Sequence, residues 1–337
     1  MNNKIRFAII GYGNIGRRHA EHIINNADTE LVAVCDINNG VQEALPGYVT
    51  FYEDVDNMLA HVVADVVCIC TPNYLHALHT VAALQQGMHA VVEKPMALSV
   101  AECNHMIAAA EKTGKTIFAV KQNRYNPPVQ EVKKLIDNKE IGNIYMLQVN
   151  CFWNRGDAYY AESSWRGKKD KDGGCLFTQF SHFVDIMYYL NGKIANATGS
   201  IHNYAHRHNT EVEDSGSFIL IAENGSTISF NFTTCAYECN MEGSITILAE
   251  KGTLKIGGQY LNTIEYQHLD GKYLPQINIS ARANDYGLYQ GSMSNHDMVI
   301  QNVVDVLHHG HPVMTSAEEG REVVRIIEQM YAGAKKL

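Results

Sequence analysis

"IIGYGNIGRRH", residues 9–19, decides how the first third of the chain folds. It grows out of an apolar run, "KIRFAII" (4–10), and leads into a helical pattern, with Gly11, Gly13 and Gly16 spaced as G-x-G-x-x-G. In such a turn the first glycine makes the tight bend and the second lets a pyrophosphate approach the backbone. The third lets the helix pack closely on the strand. Tyr12, Asn14 and Ile15 complete the turn, and the amide hydrogens that open the helix are expected to face the phosphates. The next strand candidate, "ELVAVCDI" (30–37), carries Asp36 at its tip. A carboxylate about 20 residues beyond the glycines can accept from a ribose 2′-hydroxyl. It would repel a 2′-phosphate, so NAD rather than NADP is the expected cofactor. Arg17 and Arg18 weigh the other way, but both fit a solvated helix face.

Outward from that turn, "ADVVCIC" (64–70), "HAVVEK" (89–94) and "KTIFAV" (115–120) are nearly continuous apolar runs, as parallel strands covered on both faces should be. The gaps read as helices. "NYLHALHTVAALQQG" stops at Gly87, a helix-ending glycine, and "SVAECNHMIAAAEKTG" opens with Ser99 and Glu102 in capping-box spacing. Strand and helix alternating at this rhythm predict an α/β fold, a doubly wound parallel Rossmann sheet over residues 1–122. Over 123–337 the pattern changes. It holds a long strand candidate (143–153), a helix through "LFTQFSHFVDIMYYLNG", and short strands turning at Asn224-Gly225 and Lys251-Gly252. This predicts an α+β domain with an open, mostly antiparallel sheet, whose C-terminal helices stay with it or pack back on the Rossmann domain.

Several polar residues are expected at the carboxyl edge of the parallel sheet, where ligands bind in such folds. Thr71, Pro72 and Asn73 follow one strand, and His76 lies in the first turn of the next helix, as a cofactor contact or a surface histidine. Glu93 and Lys94 end the following strand, with Pro95 behind them. An unpaired buried ammonium is costly, so a lysine there needs a purpose. Beside a cofactor it would polarise a hydroxyl or carbonyl and stabilise developing negative charge, with Glu93 as its ion partner.

Composition excludes whole classes. With 46% apolar and 19% charged residues among 337, the chain can bury a large core, and its net charge of −9 argues against nucleic-acid binding. The start, "MNNKIRFAIIGYG", lacks a signal-peptide layout, and no stretch reaches the roughly 18 apolar residues of a membrane span. The eight scattered cysteines suit buried free thiols in a reducing cytoplasm, the expected location, better than a metal site.

G-x-G-x-x-G, "CTPNYLH" and "EKPMALS", followed by a mixed α/β half, resemble the glucose–fructose oxidoreductase and inositol dehydrogenase (Gfo/Idh/MocA) family over essentially the whole chain. The resemblance implies that Lys94 is catalytic near the nicotinamide. It also implies an acid/base histidine in a G-G-x-x-x-D-x-x-x-H pattern; the matching "GGCLFTQFSHFVD" places it at His182 and puts Thr178, with Gln179 beside it, where the aspartate usually stands. Stretches such as "VKQNRYNPPVQEVKKLI", "SSWRG", "EVEDSG" and "MEGSITILAEKGTLKIGG" are similar to the WlbA-type subgroup. Those enzymes oxidise the 3-hydroxyl of UDP-N-acetyl-2-amino-2-deoxyglucuronate in surface-polysaccharide biosynthesis, and they too lack the aspartate.

The implied reaction is hydride transfer from a sugar carbon to NAD, with His182 as general base and Lys94 orienting the hydroxyl. A uronate or diphosphate needs local cations, and Lys121, Arg124 and Arg166 are the candidates. Gln122, Trp165 and Arg166 are further expected cofactor contacts. Tyr159, Thr178, Gln179 and Ser181 are expected near substrate, although Tyr159 and Tyr160 could simply pack. Lys168, Lys169 and Lys171 read as a solvated loop. His202, His206 and His208 with Glu211 invite a zinc proposal, but nothing completes a ligand set, and no metal is expected. Other readings are an NAD-dependent dehydrogenase of another sugar or inositol, a glycosidase that uses NAD catalytically, and a non-catalytic NAD sensor. Retention of both Lys94 and His182 speaks against the last. The expected partners are a sugar or UDP-sugar, 2-oxoglutarate where NADH is reoxidised in place, and further copies of the chain in a homo-dimer or homo-tetramer.

Overall fold

Apolar runs that hide both faces can only be strands with helices above and below. In the computed structural model, which describes residues 4–274, 283–285, 287 and 290–336, they become six parallel strands. These are β1 (Ile5–Ile10), β2 (Thr29–Cys35), β3 (Thr50–Tyr52), β4 (Val66–Ile69), β5 (His89–Val92) and β6 (Ile117–Ala119), in the order β3-β2-β1-β4-β5-β6. Phe7, Ile9, Val34, Val67 and Val91 are wholly buried within them. The helices between are α1 (Asn14–Asn25), α2 (Val55–His61), α3 (His76–Gln85) and α4 (Val100–Thr113). Ser99 Oγ accepts the Glu102 amide at 3.2 Å and α4 ends at Gly114 with φ +67°, so both end signals in the sequence operate. β3 carries no such signal, being three half-exposed residues aligned by pairing with β2. The strand order reverses between β1 and β4, which puts the glycine turn and the ends of β4 and β5 along one ligand-binding crevice.

Two units make up the chain. One runs from the N-terminus to Lys121 and takes in His296–Val324; the other comprises Gln122–Asn295 and the chain from Arg325. In the second unit, helices α5 (Pro127–Asp137), α6 (Asp157–Ala161), α7 (Lys169–Asp172), α8 (Cys175–Thr178) and α9 (Ser181–Asn191) accompany a large sheet. Its strands begin with β7 (Ile144–Phe152), β8 (Ile194–His202), β9 (Ser215–Ala222) and β10 (Thr227–Thr233). β11 (Glu242–Ala249), β12 (Gly252–Gly257) and β13 (Thr263–Leu269) follow, then the small pair β14 (Ala283–Asp285) and β15 (Gln290–Met293), and finally β16 (Ala334–Lys336). The eight-stranded order is β13-β12-β11-β7-β10-β9-β8-β16. It is antiparallel except where β10 meets β7 and β16 meets β8, so the sheet is mixed and mostly antiparallel.

Alternation decides which face is covered. In β10, Ile228, Phe230 and Phe232 are buried while Thr227, Ser229 and Asn231 are not. The buried faces of β7, β10 and β11 meet Phe180 and Phe183, with the Trp153 and Phe183 rings 5.4 Å apart edge-on. Each such side chain contributes about 1.5–3 kcal/mol by leaving water. The sequence predicts one helix through 176–192; the structure breaks it at Gln179-Phe180 into α8 and α9.

Two helices close the first unit. α10 (His296–His309) packs along α1, where Asn26 Nδ2 donates to Gln301 Oε1 at 3.0 Å. Gly320 of α11 (Ala317–Ala332) lies so close to Met96 that a β-carbon would stand 2.6 Å from its sulfur. Among the described residues no helix is long and apolar enough to cross a membrane, and all eight cysteines are free.

Candidate active site

The glycine turn after β1 is built as its spacing predicts. Gly11 has φ +90°, and a β-carbon on it would stand 2.6 Å from the Cys70 carbonyl oxygen; one on Gly16 would stand 2.0 Å from the Gly11 oxygen. Gly13 differs, since a β-carbon there meets nothing within 4 Å. Gly13 caps α1 without a side chain, and Asn14 and Ile15 form the first turn, leaving amides for an anion. Asp36 Oδ2 accepts the Tyr12 amide at 2.6 Å and Oδ1 accepts the Asn38 amide at 2.9 Å, so the carboxylate at the tip of β2 braces the turn as well. Arg17 keeps to this turn, its guanidinium 5.8 Å from the Tyr12 ring centroid.

This contrast separates two substitutions that look alike in sequence. Gly16→Ala drives a methyl into backbone and is expected to lower the melting temperature measurably. Gly13→Ala leaves the melt unchanged but weakens NAD binding by at least about tenfold, because the methyl occupies the approach reserved for the pyrophosphate. Calorimetric melts and NAD titrations of the two proteins check it; equal affinity for NAD in Gly13→Ala and the parent would refute it.

At the end of β4, Asn73 is buried, and the Thr71 hydroxyl is buried with no hydrogen-bond partner among the described residues. An orphaned hydroxyl at this edge fits a bound cofactor. Pro72 precedes the single turn Asn73–Leu75 that leads into α3. His76 is buried, not a surface histidine: its Nδ1 lies 2.7 Å from the Pro95 oxygen and its Nε2 2.9 Å from the Thr71 oxygen. Desolvation holds its pKa below the usual histidine value.

Lys94 follows β5, partly buried, with a cis bond to Pro95. Glu93 accepts the Lys94 amide through Oε2 at 3.1 Å; its Oε1 lies 2.9 Å from His19 Nε2 and 3.4 Å from His296 Nε2. Burial opposes its charge, but the His19 hydrogen bond and the nearby His296 ring outweigh it, and the carboxyl stays well below the usual range; His296 Nε2 itself faces Glu93 without a hydrogen bond of good geometry. No local pattern points to His19 or His296. Only the fold unites α1, the end of β5 and α10.

In the second unit, His182 lies in the first turn of α9, buried, with Nε2 3.5 Å from Ser292 Oγ. Ser292 in turn accepts from Gln122 Nε2 at 2.9 Å. Ser181 is buried and its hydroxyl has no partner among the described residues. Thr178 donates to the Asp172 carboxylate, whose other oxygen accepts the Gly167 amide at 2.6 Å. The family's aspartate position thus carries a hydroxyl bound to a carboxylate from α7. Gln179 Nε2 donates to Tyr159 Oη at 2.5 Å, and its Oε1 accepts from Arg155 Nε at 2.8 Å. Arg155, buried between Trp153 and Tyr159, lies two residues beyond the long strand candidate and belongs to no motif that would single it out in the sequence.

The expected cations are placed variously. Arg124 is wholly buried and grips Asp185 with Nε at 3.0 Å and Nη2 at 2.8 Å, its guanidinium 4.6 Å from the Tyr189 ring. Lys121 is buried at the end of the first unit. Arg166 bonds the Tyr159 carbonyl at 3.0 Å and Glu162 at 2.6 Å, with half-buried Trp165 before it. Lys168 pairs with Glu211 at the surface. The three histidines separate: His202 stacks on Tyr204, His208 meets Asp157, and His206 meets Asp214 at 3.1 Å. Hydrogen bonds to Asp214 and Cys235 raise the pKa of His206 to about 9.

A parallel β3-β2-β1-β4-β5-β6 sheet with this glycine turn, a carboxylate at the tip of β2 and a lysine after β5 defines an NAD-dependent oxidoreductase domain. The chain belongs to the Gfo/Idh/MocA oxidoreductase family. Residues 5–121 match its "NAD-binding Rossmann fold" model and residues 129–255 its "C-terminal domain" model. Among solved structures, the chain is similar to the WlbA dehydrogenase from Bordetella pertussis in complex with NADH and UDP-GlcNAcA. That likeness is 33% identity over 98% of this chain and 96% of that one, TM-score 0.89. The WlbA enzyme from Chromobacterium violaceum, also with NADH and UDP-GlcNAcA, is 32% identical over 98% and 94%, TM-score 0.87. The D-glucoside 3-dehydrogenase of Escherichia coli K12 is 30% identical over 60% of this chain and only 58% of its own length.

Proposed function

We propose that this chain is an NAD-dependent dehydrogenase that oxidises the 3-hydroxyl of a UDP-linked N-acetylglucosaminuronate. The observation that carries the reading is the likeness, through 98% of the chain, to an enzyme held with NADH and UDP-GlcNAcA. The E. coli relative, named for oxidation at the same sugar position, supports the 3-hydroxyl and favours a neutral glycoside as the second reading.

NAD, when bound, accepts the hydride; the chain's residues handle charge and the proton. The Lys94 ammonium stabilises the alkoxide that develops as the hydride leaves. His182 takes the hydroxyl proton. Ser292 Oγ accepts from Gln122 at 2.9 Å and stands 3.5 Å from His182 Nε2, which anchors the ring beside the sugar hydroxyl.

Purified protein incubated with NAD and UDP-N-acetyl-2-amino-2-deoxyglucuronate, with and without 2-oxoglutarate, is expected to yield a product lighter by two hydrogens in mass spectrometry. Turnover only when 2-oxoglutarate is present would place NADH reoxidation on the enzyme. NADH formation with a neutral glycoside or inositol, and none with the uronate, would sink the reading and leave the family assignment intact.

A further inference from the structure

We propose that Glu93, held by His19 and His296, is the positioning residue for Lys94. This rests on the reading of Lys94 as the catalytic cation. Lys94 lies beyond β5, and side chains brace it on both flanks: Glu93 Oε2 accepts its amide at 3.1 Å, and His76 Nδ1 stands 2.7 Å from the carbonyl of Pro95. A carboxylate buried to 5% exposure is a costly way to supply one acceptor. Its advantage is a second oxygen. Oε2 can serve Lys94 while Oε1 faces His19 Nε2 at 2.9 Å and His296 Nε2 at 3.4 Å. A glutamine has a single acceptor oxygen to divide among these donors.

The two histidines come from α1 and α10 and meet edge-on, with ring centroids 5.3 Å apart and planes at 77°. They aim at Glu93 and at little else. Neither Nδ1 has a hydrogen-bond partner among the described residues. That detail also decides between a proton site and a metal site. Two imidazoles and a carboxylate at these separations could enclose an ion. A metal-bound histidine, however, almost always donates its other ring N–H to an acceptor, and here both lack one. Burial also pushes the His296 pKa down to about 4 against the pull of Glu93, so the ring packs against the carboxylate, with Nε2 at 3.4 Å, without adding a second buried charge. The cluster is therefore a clamp. It ties the helix after the glycine turn and the returning α10 to the backbone of the residue that must point at the substrate.

The test compares Glu93→Ala, Glu93→Gln and Lys94→Met in the full chain, with three readouts. With NAD and the UDP-sugar, Glu93→Ala is expected to lower kcat about 100-fold, the scale of a roughly 1 Å misplacement, while the KM for sugar and the affinity for NAD stay within about threefold. Glu93→Gln, which keeps one acceptor, should recover about tenfold of that loss. A merely structural role would shift KM, NAD affinity and melting temperature together and show no recovery. Hydrogen exchange of the Lys94 amide, read by mass spectrometry, needs no substrate: protection should vanish in Glu93→Ala and persist in Glu93→Gln. Lys94→Met separates the two levels. If it abolishes turnover while Glu93→Ala stays within twofold of the parent, the clamp is overturned and the catalytic reading survives. If Lys94→Met turns over normally, the catalytic reading falls. If the sugar does not react, amide protection decides alone, and unchanged protection in Glu93→Ala overturns the clamp. Should Glu93→Ala fail to fold, His19→Gln takes its place, with kcat expected about tenfold lower and KM unchanged; an unchanged kcat overturns the proposal. One tightly bound metal ion per chain, lost in His296→Gln, would overturn it as well.

Discussion

Lys94→Met is expected to lower kcat by about 10³-fold while NAD binding and the melting temperature stay near those of the parent. The reasoning starts from position. Lys94 follows a strand at the carboxyl edge of the parallel sheet, on the same crevice as the glycine turn and Thr71. Oxidation of an alcohol leaves negative charge on its oxygen as the hydride departs, and a preorganised cation in a water-poor site meets that charge without reorganisation. A factor of 10³ corresponds to about 4 kcal/mol of transition-state stabilisation, well within what one charged donor supplies. Methionine keeps the length and apolar stem of lysine and removes only the charge, so stability should hardly move. The residues expected to hold NAD, Gly11, Gly13, Gly16 and Asp36, are unaltered. Steady-state kinetics with a fluorescence titration of NAD checks the claim. A kcat within tenfold of the parent would remove Lys94 from the chemistry.

The parallel half of the fold was legible because its signals are local. "IIGYGNIG" states a turn, a helix start and a cofactor at once, and each apolar run between capped helices has one plausible role. What escaped detection depends on partners distant in sequence. β3 is three β-favouring residues, Thr50–Tyr52, too short a run to mark a strand until β2 offers it an edge. Gly174 must lack a β-carbon because Tyr331 Oη would stand 2.2 Å from it, a reason found more than a hundred residues later. Tyr331 and the Cys175 amide both donate to Glu213, whose burial lifts its pKa to about 7; in sequence it is one acid among several in "EVED". The site divides the same way. Lys94 and His182 could be named from the stretches around them. His19, Ser292 and His296 could not, because each gains its place by what it faces: Glu93, His182 and Glu93 again. Glu93 was expected to be the ion partner of Lys94; the structure shows it accepting that residue's backbone amide, bonding His19 and facing His296.

His182→Asn should be the other severe loss, with kcat lower by about 10²–10⁴-fold, the usual range for removing a positioned general base. Asparagine resembles imidazole in size near the backbone and can still bond Ser292, so α9 should remain folded around it. Two neighbours make this more than a simple deletion. Ser292 Oγ stands 3.5 Å from His182 Nε2 and is itself held by Gln122 at 2.9 Å. Ser292→Ala is therefore expected to keep the base but loosen its orientation, lowering kcat by about tenfold rather than by the full amount. The profiles of kcat against pH distinguish the two. The parent should lose rate as the base protonates, Ser292→Ala should keep that limb with its midpoint displaced, and His182→Asn should lose the limb with the residual rate. A His182→Asn enzyme that retains the limb would assign it to another group. With its residual rate within tenfold of the parent, that result would remove His182 from the chemistry.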